Sequence, residues 1–328
     1  MKITRTELSI DVSSVLQHGP ALVVTATAVA PADLAAGSRP IVVVAIPGGT
    51  YHRRYWDLQP PGRVGYSMAA HLAERGVIVI ACDYLGGGDS SRPDDGDFIG
   101  LRTQAAAAHA AFERIREGVV GGSLIAALPA LPDAIFVGIG QSLGGFVTMI
   151  QQGEYADYVA VGIFGASPLL IANTRDQPDW DALSEAERRD FILRENARQS
   201  GVGELPMYHG APRAQYAGIF HVPDVPADLV AYDEESCHTL IPRNSGIDGM
   251  TPGFAKASAA RITSPVFLAF GEFDVSANPH LEPSGYPASS DITLAVVDNM
   301  AHMHNFADTR ELLWNRFLGW LTAVVRSS

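Results

Sequence analysis

A serine flanked by glycines stands between a predicted strand and a predicted helix. Ser142 lies in the run Gly140-Gln141-Ser142-Leu143-Gly144-Gly145, after the apolar residues 134–139 and before residues 146–150, which can continue as a helix. A serine at so sharp a turn presents its hydroxyl at the carboxyl edge of a sheet, and the glycines leave room for the crossing chain. The pattern favours nucleophilic attack by Ser142, although a glycine-rich turn without catalytic function shares it.

A serine hydroxyl needs a base, and the base needs an acid that orients it. Asp274 follows one later predicted strand, and His302 and His304 follow the next. The order serine, acid, histidine, each just beyond a strand, indicates Asp274 as the orienting acid and His302 as the base. Two alternatives stay open: Glu272 could replace Asp274, and His304 could be the base or a residue that supports the site.

The nucleophile limits the chemistry. A serine attacks a carbonyl carbon, as in a carboxylic ester, lactone, thioester, amide or β-diketone, and forms an acyl-enzyme that water then cleaves. An aspartate at position 142 would instead indicate alkyl-enzyme chemistry on halides or epoxides. The sequence therefore predicts acyl transfer to water.

Predicted strands alternate with predicted helices over most of the chain. The predicted strands are residues 7–11, 21–30, 41–46, 77–82, 134–139, 158–164, 266–270 and 292–297. The predicted helices are residues 67–75, 102–116, 146–150, 184–199 and 309–325. This alternation predicts an α/β protein whose mostly parallel sheet has helices on both faces.

The alternation breaks between residues 168 and 261, where one convincing helix stands among segments without a clear buried strand. A structureless loop of that length is implausible in a compact domain. We therefore expect an inserted cap or lid at 168–261, between two parts of the core at 1–167 and 262–328. Its position in the chain would place it over the carboxyl edge of the sheet, where ligands bind in such folds.

These motifs resemble the α/β-hydrolase superfamily along nearly the whole chain. The run Ile46-Pro47-Gly48-Gly49-Thr50 is similar to the family's oxyanion loop, with proline where histidine is common. Residues 82–90 resemble the family's Asp-x-x-Gly-x-Gly-x-Ser turn, and residues 165–168 the loop that opens toward the cap.

The resemblance implies an eight-stranded α/β-hydrolase fold and a catalytic triad of Ser142, Asp274 and His302. It also implies an oxyanion hole formed by the N–H groups of Leu143 and Gly49, with Gly48 allowing close approach. We expect a serine hydrolase that cleaves an ester or lactone of an apolar small molecule. The alternatives are a C–C bond hydrolase, thioesterase or acyltransferase on the same scaffold, or a receptor without turnover.

Aromatic and histidine side chains of the predicted cap could line an apolar pocket or form the core of the cap itself. They are Trp180, Tyr208, His209, Tyr216, Phe220, His221, Tyr232 and His238.

The composition excludes several classes of partner. The 328 residues carry a net charge of −13 without a dense basic stretch, which argues against binding to nucleic acid or an anionic membrane. No run approaches the roughly 20 apolar residues of a membrane span, and the N-terminus does not look like a signal peptide. We expect a cytoplasmic protein without a metal or organic cofactor; a homodimer is compatible with the sequence.

Overall fold

The computed structural model describes residues 2–15, 21–169, 178–199, 201–211 and 213–326. Within these ranges the strands are β1 (Ile3–Asp11), β2 (Val23–Pro31), β3 (Ile41–Ile46), β4 (Ile78–Cys82), β5 (Ile135–Gln141), β6 (Ala160–Phe164), β7 (Tyr208–His209), β8 (Ile241–Pro242), β9 (Val266–Phe273) and β10 (Ile292–Ala301). The helices are α1 (Met68–Ala73), α2 (Leu101–Gly121), α3 (Leu143–Tyr155), α4 (Glu185–Gln199), α5 (Arg213–Phe220), α6 (Ala227–Ser236), α7 (Arg243–Met250), α8 (Lys256–Ala259) and α9 (Arg310–Arg326).

Eight of the described strands form one sheet in the order β1-β2-β4-β3-β5-β6-β9-β10. The pairs β1–β2 and β2–β4 are antiparallel, and the remaining neighbours are parallel. The expectation of a mostly parallel, eight-stranded sheet is confirmed. The parallel arrangement brings the carboxyl ends of β3, β5, β6, β9 and β10 to one edge, where the candidate site lies.

The central strand β3 shows why the sheet is covered on both faces. Val42 and Val44 belong to the apolar cluster that includes α2 and α3, whereas Val43 and Ala45 belong to the cluster that includes α1 and α9. Successive side chains of a strand point to opposite faces, so a strand buried on both sides is apolar throughout. The uninterrupted apolar run at 41–46 was correctly interpreted as such a strand.

Several elements extend beyond their predicted bounds. α2 continues to Gly121 and ends at Gly122, whose φ of 72° is the left-handed conformation typical of a helix end. β10 continues past Val297 to Ala301 through an irregularity in its pairing with β9. That irregularity carries the chain directly to His302.

The segment between β6 and β9 differs most from the sequence prediction. The helix predicted at 184–199 is present as α4, and Ser184 and Glu187 cap it reciprocally. Within the described part of this segment, α5 to α8 and the small β7–β8 sheet were not predicted. These elements are short, and much of their apolar surface packs on the core, so their sequences lack the long periodic pattern of a recognisable helix. Residues 170–177 of the predicted cap lie outside the described residues.

None of the helices in the described ranges combines the length and the apolar character that crossing a membrane requires.

Candidate active site

Ser142 occupies the turn between β5 and α3 in a strained backbone conformation. Its φ is 51° and its ψ is −116°, values that residues other than glycine rarely adopt. The turn is held because the Ser142 N–H donates to Phe164 O at 2.8 Å and the Phe146 N–H donates to Ser142 O at 3.1 Å. Strain that the surrounding structure maintains in this way is typical of functional positions.

The glycines around Ser142 are required by backbone packing. A Cβ on Gly140 would lie 2.0 Å from Gly144 O, and a Cβ on Gly144 would lie 2.1 Å from Ile46 O. A Cβ on Gly145 would lie 2.6 Å from Ala166 Cβ. The first two obstacles are main-chain atoms that cannot rotate away. A side chain at Gly140 would therefore clash with the first turn of α3, and a side chain at Gly144 would clash with the end of β3.

The loop after β3 lies directly beside this turn. A Cβ on Gly48 would lie 2.2 Å from Gln141 Oε1 and 3.3 Å from Ser142 Cβ, and a Cβ on Gly49 would lie 3.6 Å from Leu143 Cβ. The Leu143 N–H is in the first turn of α3, where backbone N–H groups lack an acceptor within the helix. The structure therefore brings Gly48, Gly49, Leu143 and Ser142 together, as the oxyanion-hole hypothesis requires.

The carboxylate of Asp274 accepts four hydrogen bonds. Oδ1 lies 2.6 Å from His302 Nδ1 and 2.7 Å from the Val275 N–H, and Oδ2 lies 2.6 Å from His304 Nε2 and 3.1 Å from the Gly271 N–H. Burial raises the pKa of Asp274, but attraction to His302 and His304 and their hydrogen bonds outweigh it and hold this pKa well below its ordinary value. The group is therefore a carboxylate with all its lone pairs used.

The two histidines differ in what their second ring nitrogen faces. His302 Nε2 lies 3.5 Å from the Nε2 atom of Gln141, the residue before Ser142, and that same amide donates to His302 O at 3.0 Å. His304 is 1% exposed, and its Nδ1 has no partner among the described residues. The edge of His302 that Asp274 leaves free therefore faces Gln141, the residue before Ser142, whereas among the described residues the His304 ring nitrogens hydrogen-bond only to Asp274.

Glu272, the alternative to Asp274 as the orienting acid, does not contact His302 or His304 in the described part of the chain. Glu272 is exposed, and its Oε2 accepts from the Asn299 N–H at 2.9 Å. It makes no hydrogen bond to His302 in the described part of the chain. Glu272 is not the partner of either histidine.

Helix α5 contacts the histidine loop through its last carbonyl groups. The His302 N–H donates to Ile219 O at 3.0 Å, and the Met303 N–H donates to Phe220 O at 3.0 Å. The Phe220 ring centroid lies 6.1 Å from that of His302 and 5.3 Å from that of Tyr216, with which Phe220 stacks. This part of the segment between β6 and β9 thus forms one side of the candidate site.

Two other aromatic residues of the segment have their contacts with residues outside the serine turn. Trp180 packs edge-on against Phe191, and the Tyr208 hydroxyl donates to Pro93 O at 2.7 Å. These contacts agree with the interpretation that the two side chains belong to the packing of the segment.

A buried polar group beside the loop after β3 was not predicted from the sequence. It consists of Arg213 and Asp233 from the inserted helices, with Thr50 and Tyr51 from the loop itself. A buried arginine has no local sequence signal, because its partners are far along the chain. The positive φ of Thr50, 63°, is likewise visible only in the structure.

The described residues contain no group of three or more His, Cys, Asp or Glu side chains that could hold a metal ion. Both cysteines are buried and free, and burial raises the pKa of Cys82 to about 12. Burial also raises the pKa of Cys237. Neither thiol is therefore suited to act as a nucleophile.

Comparison with known proteins gives the same architecture. The chain resembles a bromoperoxidase from Bacillus anthracis, with a TM-score of 0.63, 16% identity, and coverage of 98% of this chain and 100% of that one. It also resembles the α/β-hydrolase GrgF from Penicillium sp. sh18, with a TM-score of 0.60, 19% identity, and coverage of 98% and 99%. A third similar structure is E-2-(acetamidomethylene)succinate hydrolase, with a TM-score of 0.58, 16% identity, and coverage of 97% and 100%.

No curated protein matches the sequence. A family model described as the alpha/beta hydrolase family matches residues 43–313, which is most of the chain. This range includes the serine turn, the loop after β3, Asp274 and both histidines. The chain therefore belongs to the α/β-hydrolase family.

Proposed function

We propose that this chain is a serine hydrolase that cleaves a carboxylic ester or lactone of an apolar small molecule through an acyl-enzyme. The observation that carries the proposal is the position of His302, which contacts Asp274 through Nδ1 and turns Nε2 toward the strained serine turn. Ser142 would be the nucleophile, His302 the base and Asp274 the orienting acid.

The positions of the protons on the His302 ring support these roles. A carboxylate can only accept, so the His302 nitrogen that faces Asp274 carries a hydrogen and Nε2 is the acceptor in the neutral ring. Nε2 would take the proton of Ser142 Oγ as the hydroxyl attacks the substrate carbonyl. It would return that proton to the leaving alcohol and then activate the water that cleaves the acyl-enzyme.

The developing negative charge needs donors that are already in place. Gly48 lies beside Ser142 and Gly49 lies beside Leu143, so the N–H groups of Gly49 and Leu143 would be these donors. Each well-placed donor stabilises such a transition state by roughly 3 kcal/mol. Ser142 and Gly49 are half-buried, whereas their neighbours Gly48, Thr50 and Leu143 are buried. A substrate carbonyl can therefore reach the nucleophile and one donor from the outside.

His304 would support the site and not transfer protons. Its Nε2 donates to Asp274, and its buried Nδ1 has no hydrogen-bond partner among the described residues. The site therefore uses the tautomer with a hydrogen on Nε2. This tautomer holds the second oxygen of Asp274 while the first holds His302.

The surroundings of the site favour an uncharged, apolar substrate under a cap at 168–261. A Cβ on Gly49 would lie 3.0 Å from Ile241 Cδ1, and Phe220 lies beside His302. Burial lowers the pKa of His209 and of His238, which keeps both rings neutral at physiological pH. Arg213, which contacts Thr50 of the loop after β3, is paired with Asp233.

The first test is labelling of Ser142. We expect a fluorophosphonate probe to modify Ser142 of the wild type and to leave the Ser142→Ala variant unmodified. Ser142→Ala should lower kcat on a responsive p-nitrophenyl ester by about 10⁴-fold or more, with the folded structure retained. Ser9→Ala, a change on the exposed face of β1, is the matched control. Labelling at another residue, or near-normal turnover without Ser142, would refute the proposal.

A panel of substrates would identify the class of compound that the protein cleaves. p-Nitrophenyl esters of graded chain length, lactones and thioesters would be compared by kcat/KM. Oxygen-18 water would then separate hydrolysis from acyl transfer, because only hydrolysis incorporates solvent oxygen into the acid product. Preference for thioesters, for C–C cleavage or for an alcohol acceptor would replace the ester or lactone assignment.

A further inference from the structure

Thr50, the residue after Gly49, is held in a conformation that it disfavours. Its φ is 63°, which for a β-branched residue is a steric outlier. The Tyr51 N–H donates to Gly48 O at 3.1 Å, so residues 48–51 form a β-turn with Thr50 at its third position. A positive φ at that position is typical of type II turns, which usually place glycine there.

This turn determines where the Gly49 N–H points. In a planar trans peptide the C=O and N–H groups point in opposite directions. Because Gly48 O points at Tyr51 N, the N–H of Gly49 is directed to the other side of the turn. The conformation of Thr50 therefore affects the aim of a proposed oxyanion donor.

All the polar groups of Thr50 have partners. Its N–H donates to the Tyr84 hydroxyl at 3.0 Å. Its carbonyl accepts from the Thr239 N–H at 2.9 Å and from Arg213 Nη2 at 3.1 Å, and its hydroxyl accepts from Arg213 Nη1 at 2.9 Å. Arg213 is the one side chain in this group that contacts both the carbonyl and the hydroxyl of Thr50.

Arg213 is itself fixed from the opposite side. Its Nε donates to Asp233 Oδ1 at 3.3 Å, and its guanidinium lies 4.0 Å from the centroid of the Tyr51 ring. Asp233 Oδ2 accepts from the Tyr51 hydroxyl at 2.6 Å and contacts His221 Nε2 at 2.9 Å. Arg213 is 2% exposed and Asp233 is fully buried, so solvent does not weaken the ion pair.

We propose, resting on the proposed function, that Arg213 is a positioning residue for the oxyanion hole. It comes from α5, in the segment inserted between β6 and β9, and it holds Thr50 so that the Gly49 N–H is aimed at the developing oxyanion. The inserted segment then completes the catalytic machinery in addition to covering it. Arg213 acts through Thr50 and does not touch the substrate.

The test compares Arg213→Met with a matched control, Arg243→Met. Arg243 also joins the inserted segment to the core, through Asp97, but it makes no hydrogen bond to residues 47–51 in the described structure. We expect Arg213→Met to lower kcat by about 10-fold to about 10³-fold with a small change in KM, as loss of an oxyanion donor does. Inhibition by a trifluoromethyl ketone, which forms a tetrahedral oxyanion on serine, should weaken by a similar factor.

Restoration of activity by a second substitution separates positioning from general loss of structure. Glycine adopts a positive φ without steric cost, so Thr50→Gly added to Arg213→Met should recover a large part of the lost kcat. It should not recover thermal stability lost from α5. If Arg213→Met does not fold, Arg213→Met with Asp233→Asn removes both buried charges and serves as the background instead.

The rate of fluorophosphonate labelling distinguishes the two proposals. If the wild type is not labelled at Ser142, the proposed function fails. If the wild type is labelled and folded Arg213→Met is labelled at the same rate, only the role of Arg213 is refuted. An equal loss of labelling rate in Arg243→Met, or no recovery with Thr50→Gly, would also refute it.

Discussion

His304 Nε2 lies 2.6 Å from Oδ2 of Asp274, the carboxylate oxygen that is not shared with the proposed base. The sequence could not decide between the two histidines of the Ala-His-Met-His run. In the structure each contacts a different oxygen of one carboxylate, and His302 also contacts Gln141, the residue before Ser142. The two positions should therefore respond differently to substitution.

We expect His302→Ala to lower kcat by about 10⁴-fold or more, because no other group would accept the serine proton. His304→Phe should lower kcat by about 10²-fold, since it frees one carboxylate oxygen and misplaces the His302 ring. His304→Gln keeps an N–H donor and should retain most of the activity. Steady-state kinetics on one p-nitrophenyl ester checks all three, and a greater loss in His304→Gln than in His302→Ala would reverse the assignment.

The strained backbone of Ser142 predicts that glycine at this position gives a more stable protein than alanine does. Ser142→Gly should have a higher free energy of unfolding than Ser142→Ala, by about 1 kcal/mol, because glycine adopts a φ of 51° without a Cβ clash. At the exposed strand position Ser9 the order should reverse, since glycine there has only its entropic cost. Urea unfolding of the four variants tests this. The same order at both sites would mean that Ser142 is not strained.

Close packing around the serine turn predicts that Gly144→Ala is severely destabilising. Its Cβ would lie 2.1 Å from Ile46 O, so β3 and α3 must separate, and the free energy of unfolding should fall by about 3 kcal/mol or more. Gly319→Ala in α9 is the control, because a Cβ there meets nothing within 4 Å. That variant should gain about 1 kcal/mol from helix propensity. A Gly144→Ala protein as stable as the wild type would contradict the model of the turn.

A buried acid near Asp274 predicts a pH dependence of stability. Glu282 is 2% exposed and accepts a hydrogen bond from the Ser276 hydroxyl. Burial raises the pKa of Glu282, hydrogen bonds from Ser276 and Ser167 oppose this, and the charge of Asp274 raises the pKa further. The result is a folded-state pKa above the ordinary 4.5, so the folded protein binds this proton more tightly than the unfolded chain does.

The stabilisation linked to this proton is therefore complete below pH 4.5 and is lost as the pH rises through the folded-state pKa of Glu282. Glu282→Gln cannot ionise and should not lose it. Urea unfolding of both proteins between about pH 4 and about pH 8 should show the wild type becoming less stable relative to Glu282→Gln as the pH rises. If the difference in free energy of unfolding between the two proteins does not change with pH, the pKa of Glu282 is not raised.

Much of the core fold could be predicted from sequence because its signals are local. A strand buried on both faces must be apolar along its length, as at 41–46, and a tight turn before a helix needs glycines, as at 140 and 144. The inserted segment lacked such signals. Its short helices, α5 to α8, bury side chains mainly against distant parts of the chain, so their own periodicity is weak.

The sequence by itself determined the order of the candidate residues and predicted the type of chemistry, because a serine at this turn and later acid and histidine positions follow strands of one parallel sheet. Only the tertiary structure decided which histidine contacts Gln141, the residue before Ser142, and that Arg213 donates to Thr50 across 163 positions of the chain. Both outcomes depend on side-chain direction and burial. Those properties arise only when separate strands and helices pack together.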